Sequence, residues 1–119
     1  MRHRGYLIAL TVLLAACSGE AHAPPSNPGS RALSLSPKDE RIASLYEQAC
    51  RTCHSIAAAG APLTGDRGAW DVRWQKGMPA LLGSVTNGMN GMPPGGQCFS
   101  CSAADYEALI TFLAGRETP

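Results

Sequence analysis

Five residues near the middle of this 119-residue chain, Cys50-Arg51-Thr52-Cys53-His54, constrain its fold more than any other segment. On a helical turn, positions i and i+3 share a face and i+4 follows them round. Two thiols so placed can add across the two vinyl groups of one porphyrin edge. The next residue can then aim a ring nitrogen at the iron from beneath. This is the spacing of covalent haem attachment, with Cys50 and Cys53 as the linking thiols and His54 as an axial ligand. By themselves the same residues also fit half of a zinc site, which Cys98 and Cys101 could complete, or a thioredoxin-like redox pair.

The N-terminus opens with Arg2 and Arg4, and Tyr6 to Ala16 is apolar apart from Thr11. As a helix that run would rise roughly 16 Å, about half of a bilayer's hydrocarbon thickness. It therefore reads as the apolar region of a secretory signal and not as a span. Its end, Leu14-Ala15-Ala16-Cys17, resembles the lipobox of bacterial lipoproteins. The resemblance implies a signal peptide over 1–16 and an acylated Cys17. The Ser-, Pro-, Ala- and Gly-rich stretch over 17–36 reads as a flexible linker with little to bury. That leaves 37–119 as the folded domain, of a size that usually needs a disulfide, metal or cofactor to hold it. With ten basic and nine acidic residues the chain has no basic excess, so nucleic-acid binding has no support.

Within the domain, Ser36 suits a helix N-cap, Pro37 the first turn and Asp39 the position where an acid favours a helix N-terminus. Ile42, Leu45, Tyr46 and Ala49 then repeat at helical spacing and lead into Cys50. A second helix starts from Ser102 with Asp105 three residues on. Its apolar stripe is Tyr106, Leu109, Ile110 and Leu113, and Gly115 ends it. The segment from Trp70 to Leu82 reads as one or two short helices broken near Gly77 and Pro79. Gly60 to Gly68 and Gly88 to Gly96 read as loops. No stretch alternates as a strand, so the expected class is all-α, with Tyr46 and Tyr106 as core contacts between the terminal helices.

From about Leu45 to Leu113 the chain resembles the class I c-type cytochromes, and within them the cytochrome c5 group. The residues that carry the resemblance are Cys50 to His54, Gly60-Ala61-Pro62, Gly65-Asp66, Trp70, Arg73, Lys76-Gly77, and Asn87 through Met92-Pro93-Pro94 to Cys98 and Cys101. Ala57 departs from the pattern, standing where relatives commonly carry glycine. The resemblance implies terminal helices packed together around one covalently bound haem c. It also implies Met92 as second axial ligand, Pro62 as the carbonyl partner of His54, and Trp70 and Arg73 beside a haem propionate. Met78 and Met89 are the other methionines available. Met92 has in its favour that Pro93 biases it towards extended backbone, while Met89 suits a pocket lining and Met78 a place under the short helix. The paired cysteines after Met-Pro-Pro mark the same branch and imply a Cys98–Cys101 disulfide, as an exported compartment would favour.

The function expected on these grounds is not enzymatic. It is one-electron carriage between redox proteins of a respiratory chain, donors and acceptors such as a terminal oxidase or a membrane reductase. The carrier would be a periplasmic monomer, lipid-anchored to a bacterial membrane. The alternatives are a haem-based gas sensor or peroxidase-like domain with a labile methionine, and a docking subunit of an oxidase complex. One acyl chain binds a membrane only marginally, whereas two or three hold firmly. Cys17→Ser is therefore expected to release the protein or leave an uncleaved precursor, as read by membrane fractionation. Wild-type protein that is fully soluble and free of lipid by mass spectrometry would remove the anchor.

Overall fold

The computed structural model describes residues 27–117, so the apolar N-terminal run and Cys17 lie outside the described part. Six α-helices follow in order: α1 (Pro28–Ser34), α2 (Glu40–Leu45), α3 (Arg51–His54), α4 (Arg67–Trp74), α5 (Met78–Asn87) and α6 (Ala103–Leu113). A π turn over Tyr46–Cys50 joins α2 to α3, and short 3-10 turns occupy Ala57–Ala59 and Pro94–Gln97. Among the described residues the only β pairing is an isolated bridge between Met89 and Met92. The fold is all-α, as the sequence implies.

The first core helix starts later than Ser36 and Pro37 suggest. Asp39 is its N-cap, its side chain accepting from the Ile42 N–H at 2.9 Å. Both Ser36 and Asp39 are competent caps, but Pro37 is buried in the domain and the chain turns only after it. The apolar stripe behaves as its period demands. Leu45 and Tyr46 are buried, with Ile42 and Ala49 packed against them. The π turn closes with the Arg51 N–H donating to the Tyr46 carbonyl. One extra residue per turn shifts the following helix face, and the shift falls between Tyr46, which faces the core, and the Cys50–His54 segment.

Helix α6 crosses α2 and supplies most of the remaining core. Leu109, Ile110, Phe112 and Leu113 are all buried, each worth about 1.5–3 kcal/mol by transfer from water. Tyr46 meets Phe112 edge-on at 5.0 Å between ring centroids. Ser102 and Asp105 form a reciprocal capping box. Gly115 follows the helix at φ +64°, the left-handed geometry that closes a helix without a Cβ penalty. The middle of the chain extends further than expected. Helix α4 begins at Arg67 and α5 runs to Asn87, broken at Gly77. Pro79 does not break α5, because it sits in the first turn, where its missing N–H costs nothing.

One expectation is corrected. The stretch read as flexible linker contains α1, capped by Asn27, whose side chain accepts from the Gly29 N–H at 3.0 Å. A seven-residue helix is marginal alone, and this one is held by docking. Ala32 is 0% exposed, and Leu35, just after α1, packs against the main core. The Leu33 carbonyl near the helix C-terminus accepts from Arg51 Nη2 at 2.9 Å.

Asp105 also pairs with Arg41 across the two terminal helices, through a short contact to one carboxylate oxygen and a 2.9 Å bond to the other. The Arg41 bond, then the Ser102 backbone and hydroxyl donors, hold the Asp105 carboxyl far below the usual carboxylate range. A depressed folded pKa gives stability that is present above the unfolded carboxylate value and lost as pH falls through the folded one. Asp105→Asn is therefore expected to be less stable than wild type by a constant amount above about pH 5, with the gap closing as the pH falls below about 4. Denaturant unfolding across that range is the check; a gap independent of pH would contradict it.

Candidate functional site

Cys50 ends the π turn and Cys53 and His54 lie on the short helix α3 that follows, with Cys50 half-buried, Cys53 exposed and His54 buried. The two cysteines are not joined to each other. Burial, with a smaller push from Cys53, raises the Cys50 thiol to about 11. A dithiol redox pair needs the opposite shift. Cys98 and Cys101 are joined in a disulfide with a Cα–Cα distance of 5.4 Å, so they cannot complete a zinc site. Of the three readings open at the Cys50–His54 segment, haem attachment is the one the donor set fits.

The His54 imidazole donates from Nδ1 to the Pro62 carbonyl at 2.8 Å. A carbonyl can only accept, so the proton is on Nδ1 and Nε2 remains as the ring nitrogen to ligate iron. Burial above all, with the Arg73 charge adding to it and the Pro62 bond opposing it, lowers the His54 pKa. The ring is thus neutral at neutral pH, the form a metal needs. Pro62 has the role expected of it.

The next two residues complete a small hydrogen-bonded frame. The Leu63 carbonyl accepts from Trp70 Nε1 at 2.8 Å. Thr64 gives its backbone N–H (2.7 Å) and its hydroxyl (3.1 Å) to the His54 carbonyl. Because the Thr64 proton is used there, the Tyr46 hydroxyl, 2.9 Å away and wholly buried, is the donor in the Tyr46–Thr64 bond. Tyr46 is therefore more than a packing residue, and neither it nor Thr64 stands out in the sequence as part of the site. A threonine in a loop carries no signal of its own.

Trp70, its indole N–H donated to the Leu63 carbonyl, packs beside His54, with ring centroids 6.0 Å apart and tilted by 34°. Arg73 donates to the Ala69 carbonyl of its own helix, and its charge still bears on His54. Ala57, where relatives commonly carry glycine, sits in a 3-10 turn at negative φ, and Gly60 takes the left-handed position at φ +71°. The departure costs no strain.

Across the fold, the Met92 loop is a two-residue hairpin. Met89 N–H donates to the Met92 carbonyl at 3.0 Å and Met92 N–H to the Met89 carbonyl at 2.9 Å. Residues Asn87 to Pro94 line an open cavity of about 380 Å³. Met89 is 50% exposed, whereas Met92 packs against the cluster of Leu81, Val85 and Ile110. Met78 packs there too, from the start of α5. A Cβ on Gly88 would come within 2.7 Å of the Met92 carbonyl oxygen and 2.9 Å of the Pro94 nitrogen. Only glycine lets α5 end this close to the loop.

Residues 37–113 match the family model described as cytochrome c oxidase, cbb3-type, subunit III. Over 68 residues, 56% of the chain, it is 37% identical to cytochrome c5 from Ectopseudomonas mendocina, covering 78% of that relative. Cytochrome c5 from Azotobacter vinelandii is equally similar, with 82% of it covered. Among solved structures, a mono-haem ferrocytochrome c from Shewanella putrefaciens aligns with a TM-score of 0.58 and 38% identity, over 70% of this chain and 100% of that one. A cytochrome c in the electron transfer complex with nitrite reductase aligns with a TM-score of 0.57 and 35% identity, over 66% of this chain and 98% of that one.

Thr64→Val leaves the buried Tyr46 hydroxyl without an acceptor and is expected to cost about 1–3 kcal/mol of stability. The double variant with Tyr46→Phe removes both partners, so it should cost less than the two single changes added together. Chemical unfolding of all three haem-loaded variants measures this. Strict additivity would mean that the two hydroxyls are not coupled.

Proposed function

Since the chain belongs to the class I c-type cytochromes and is cytochrome c5-like, we propose that it carries single electrons between redox proteins of a respiratory chain, with His54 and Met92 as the two axial ligands. The haem c, covalently bound as the family implies, supplies the one-electron centre. Cys50 and Cys53 tether it, and His54 presents Nε2 in an orientation fixed by Pro62. The observation that carries the second ligand is the contrast among the methionines. Met92 is on the loop and packs inward, Met89 is on the loop but half in solvent, and Met78 is inward but on a helix. A thioether is a soft ligand that favours the reduced metal, so Met92 raises the potential. With both axial positions filled by the chain, substrate turnover is not its task.

Arg73, whose charge bears on His54, is the residue we assign to a haem propionate. Trp70 contributes by packing beside His54 and leaves charge neutralisation to Arg73. The exposure of Cys53 supports a thioether edge that partners can approach. The solved complex of nitrite reductase with a related cytochrome c supports redox-protein partners of this kind. The lipobox-like run before Cys17 supports a lipid-anchored, periplasmic carrier that moves between partners. The family model's name favours a second reading, a haem-bearing subunit within an oxidase, but the cytochrome c5 relatives favour the mobile carrier.

Met92→Ala is expected to abolish the weak sulfur-to-iron charge-transfer band of the oxidised protein, lower its potential and admit carbon monoxide or cyanide readily. Met89→Ala should leave all three near wild type. Survival of the band in Met92→Ala would move the ligand to Met89 or Met78.

A further inference from the structure

The turn after Met92 has an uncommon backbone. Gly95, Gly96 and Gln97 take φ values of +68°, +54° and +65° in succession. Two glycines tolerate this, but Gln97 has a Cβ and does not favour it. Three left-handed residues in a row need something outside the turn to hold them. The Cys98–Cys101 disulfide lies downstream and closes a separate ring. Within the turn, Gly96 N–H donates to the Pro93 carbonyl and Cys98 N–H to the Gly95 carbonyl, both at 2.9 Å. Among the described residues, the side chain that hydrogen-bonds the turn from outside is Tyr106 of α6. Its hydroxyl hydrogen is shared between the carbonyls of Gly95 at 3.0 Å and Cys98 at 2.9 Å.

This turn also shapes the seat of Met92. A Cβ on Gly96 would lie 3.2 Å from the Met92 methyl, and one on Gly95 would lie 3.1 Å from the Tyr106 hydroxyl. The two glycines thus stand back to back: one leaves room for the thioether and the other for the phenol. Tyr106 packs against both hydrophobic clusters, including the one that receives Met92. Read only as a core contact, it would not need its hydroxyl.

We propose that Tyr106 is a positioning residue for Met92: its hydroxyl, shared by the Gly95 and Cys98 carbonyls, holds the left-handed turn that seats the Met92 thioether. The proposal rests on Met92 being the second axial ligand. Tyr106 sits on the most firmly capped helix of the domain and grips the turn on both sides of its strained residue. Without the grip, Gln97 relaxes towards negative φ, Gly96 moves from beneath the methyl, and Met92 spends more time away from the iron.

Tyr106→Phe in the haem-loaded protein keeps the ring and removes only the oxygen. Losing one hydrogen bond corresponds to about a fivefold larger population of the loop-open form. Cyanide binding to the oxidised protein, limited by release of Met92, should be about fivefold faster than in wild type. The charge-transfer band should fade at a lower temperature than wild type, with the helical circular dichroism transition moving less than the band does. Gly95→Ala, which crowds the hydroxyl, should shift both readouts in the same direction. Cyanide rates equal to wild type in Tyr106→Phe, or band and helix transitions lowered by the same amount, would overturn the proposal. Met92→Ala measured alongside separates the two readings. If it keeps the band, the ligand assignment fails; if it loses the band while Tyr106→Phe behaves as wild type, only the role of Tyr106 fails.

Discussion

Pro62, Leu63 and Thr64 form the segment on which the haem-binding half of this molecule depends. Each offers a polar group to a different claimant: the Pro62 carbonyl to the His54 ring, the Leu63 carbonyl to the Trp70 indole, and the Thr64 amide and hydroxyl to the His54 backbone. The next residue, Gly65, sends its N–H to the Leu113 carbonyl at 2.8 Å, at the end of the last helix. One turn thereby ties the His54 segment to Trp70 and to the end of the last helix. A buried imidazole free to rotate would ligate poorly. Here the rotation is stopped by a carbonyl that is itself pinned one residue away.

A domain this small cannot build a deep core from its own side chains. The chain answers by dividing the labour. The crossing of α2 and α6, with Tyr46 against Phe112, makes one apolar cluster, and α5 with Ile110 makes another beneath Met92. The Cys50–His54 segment and the Met92 loop are fixed to these clusters by hydrogen bonds and glycines as well as by the packing of Cys50 and Met92. Haem c, when attached, would be the largest apolar group in the domain.

What the sequence discloses follows from how local the cause is. The capping box of Ser102 and Asp105, the stop at Gly115 and the stripe through Leu109 are each set within one turn, and all are legible. The Cys50–His54 spacing is equally local. Pro62 was reachable only through resemblance, since nothing in a proline announces that its carbonyl will be used. The Trp70 bond to the Leu63 carbonyl was not legible, because a backbone carbonyl seven residues back leaves no mark in the side-chain pattern. The π turn is invisible for a related reason: its five residues suit an ordinary helix, and the extra step is imposed by what flanks it. Helix α1 was missed because its composition is that of a linker and its stability comes from docking onto the domain.

That docking bears on where the domain can go. A chain spans at most about 3.5 Å per residue, so Cys17 and Pro37 can be at most roughly 70 Å apart. With α1 fixed to the domain, the free length ends at Pro28 and the limit falls to roughly 38 Å. Were Cys17 held in a membrane as proposed, the volume open to the domain would shrink with the cube of that distance, by roughly sixfold. Its effective concentration near membrane-bound partners would rise in proportion. The exit point also matters, because α1 leaves from the side of Arg51 and Gly65. Seven helical residues would then set how densely this electron carrier samples the surface beneath it.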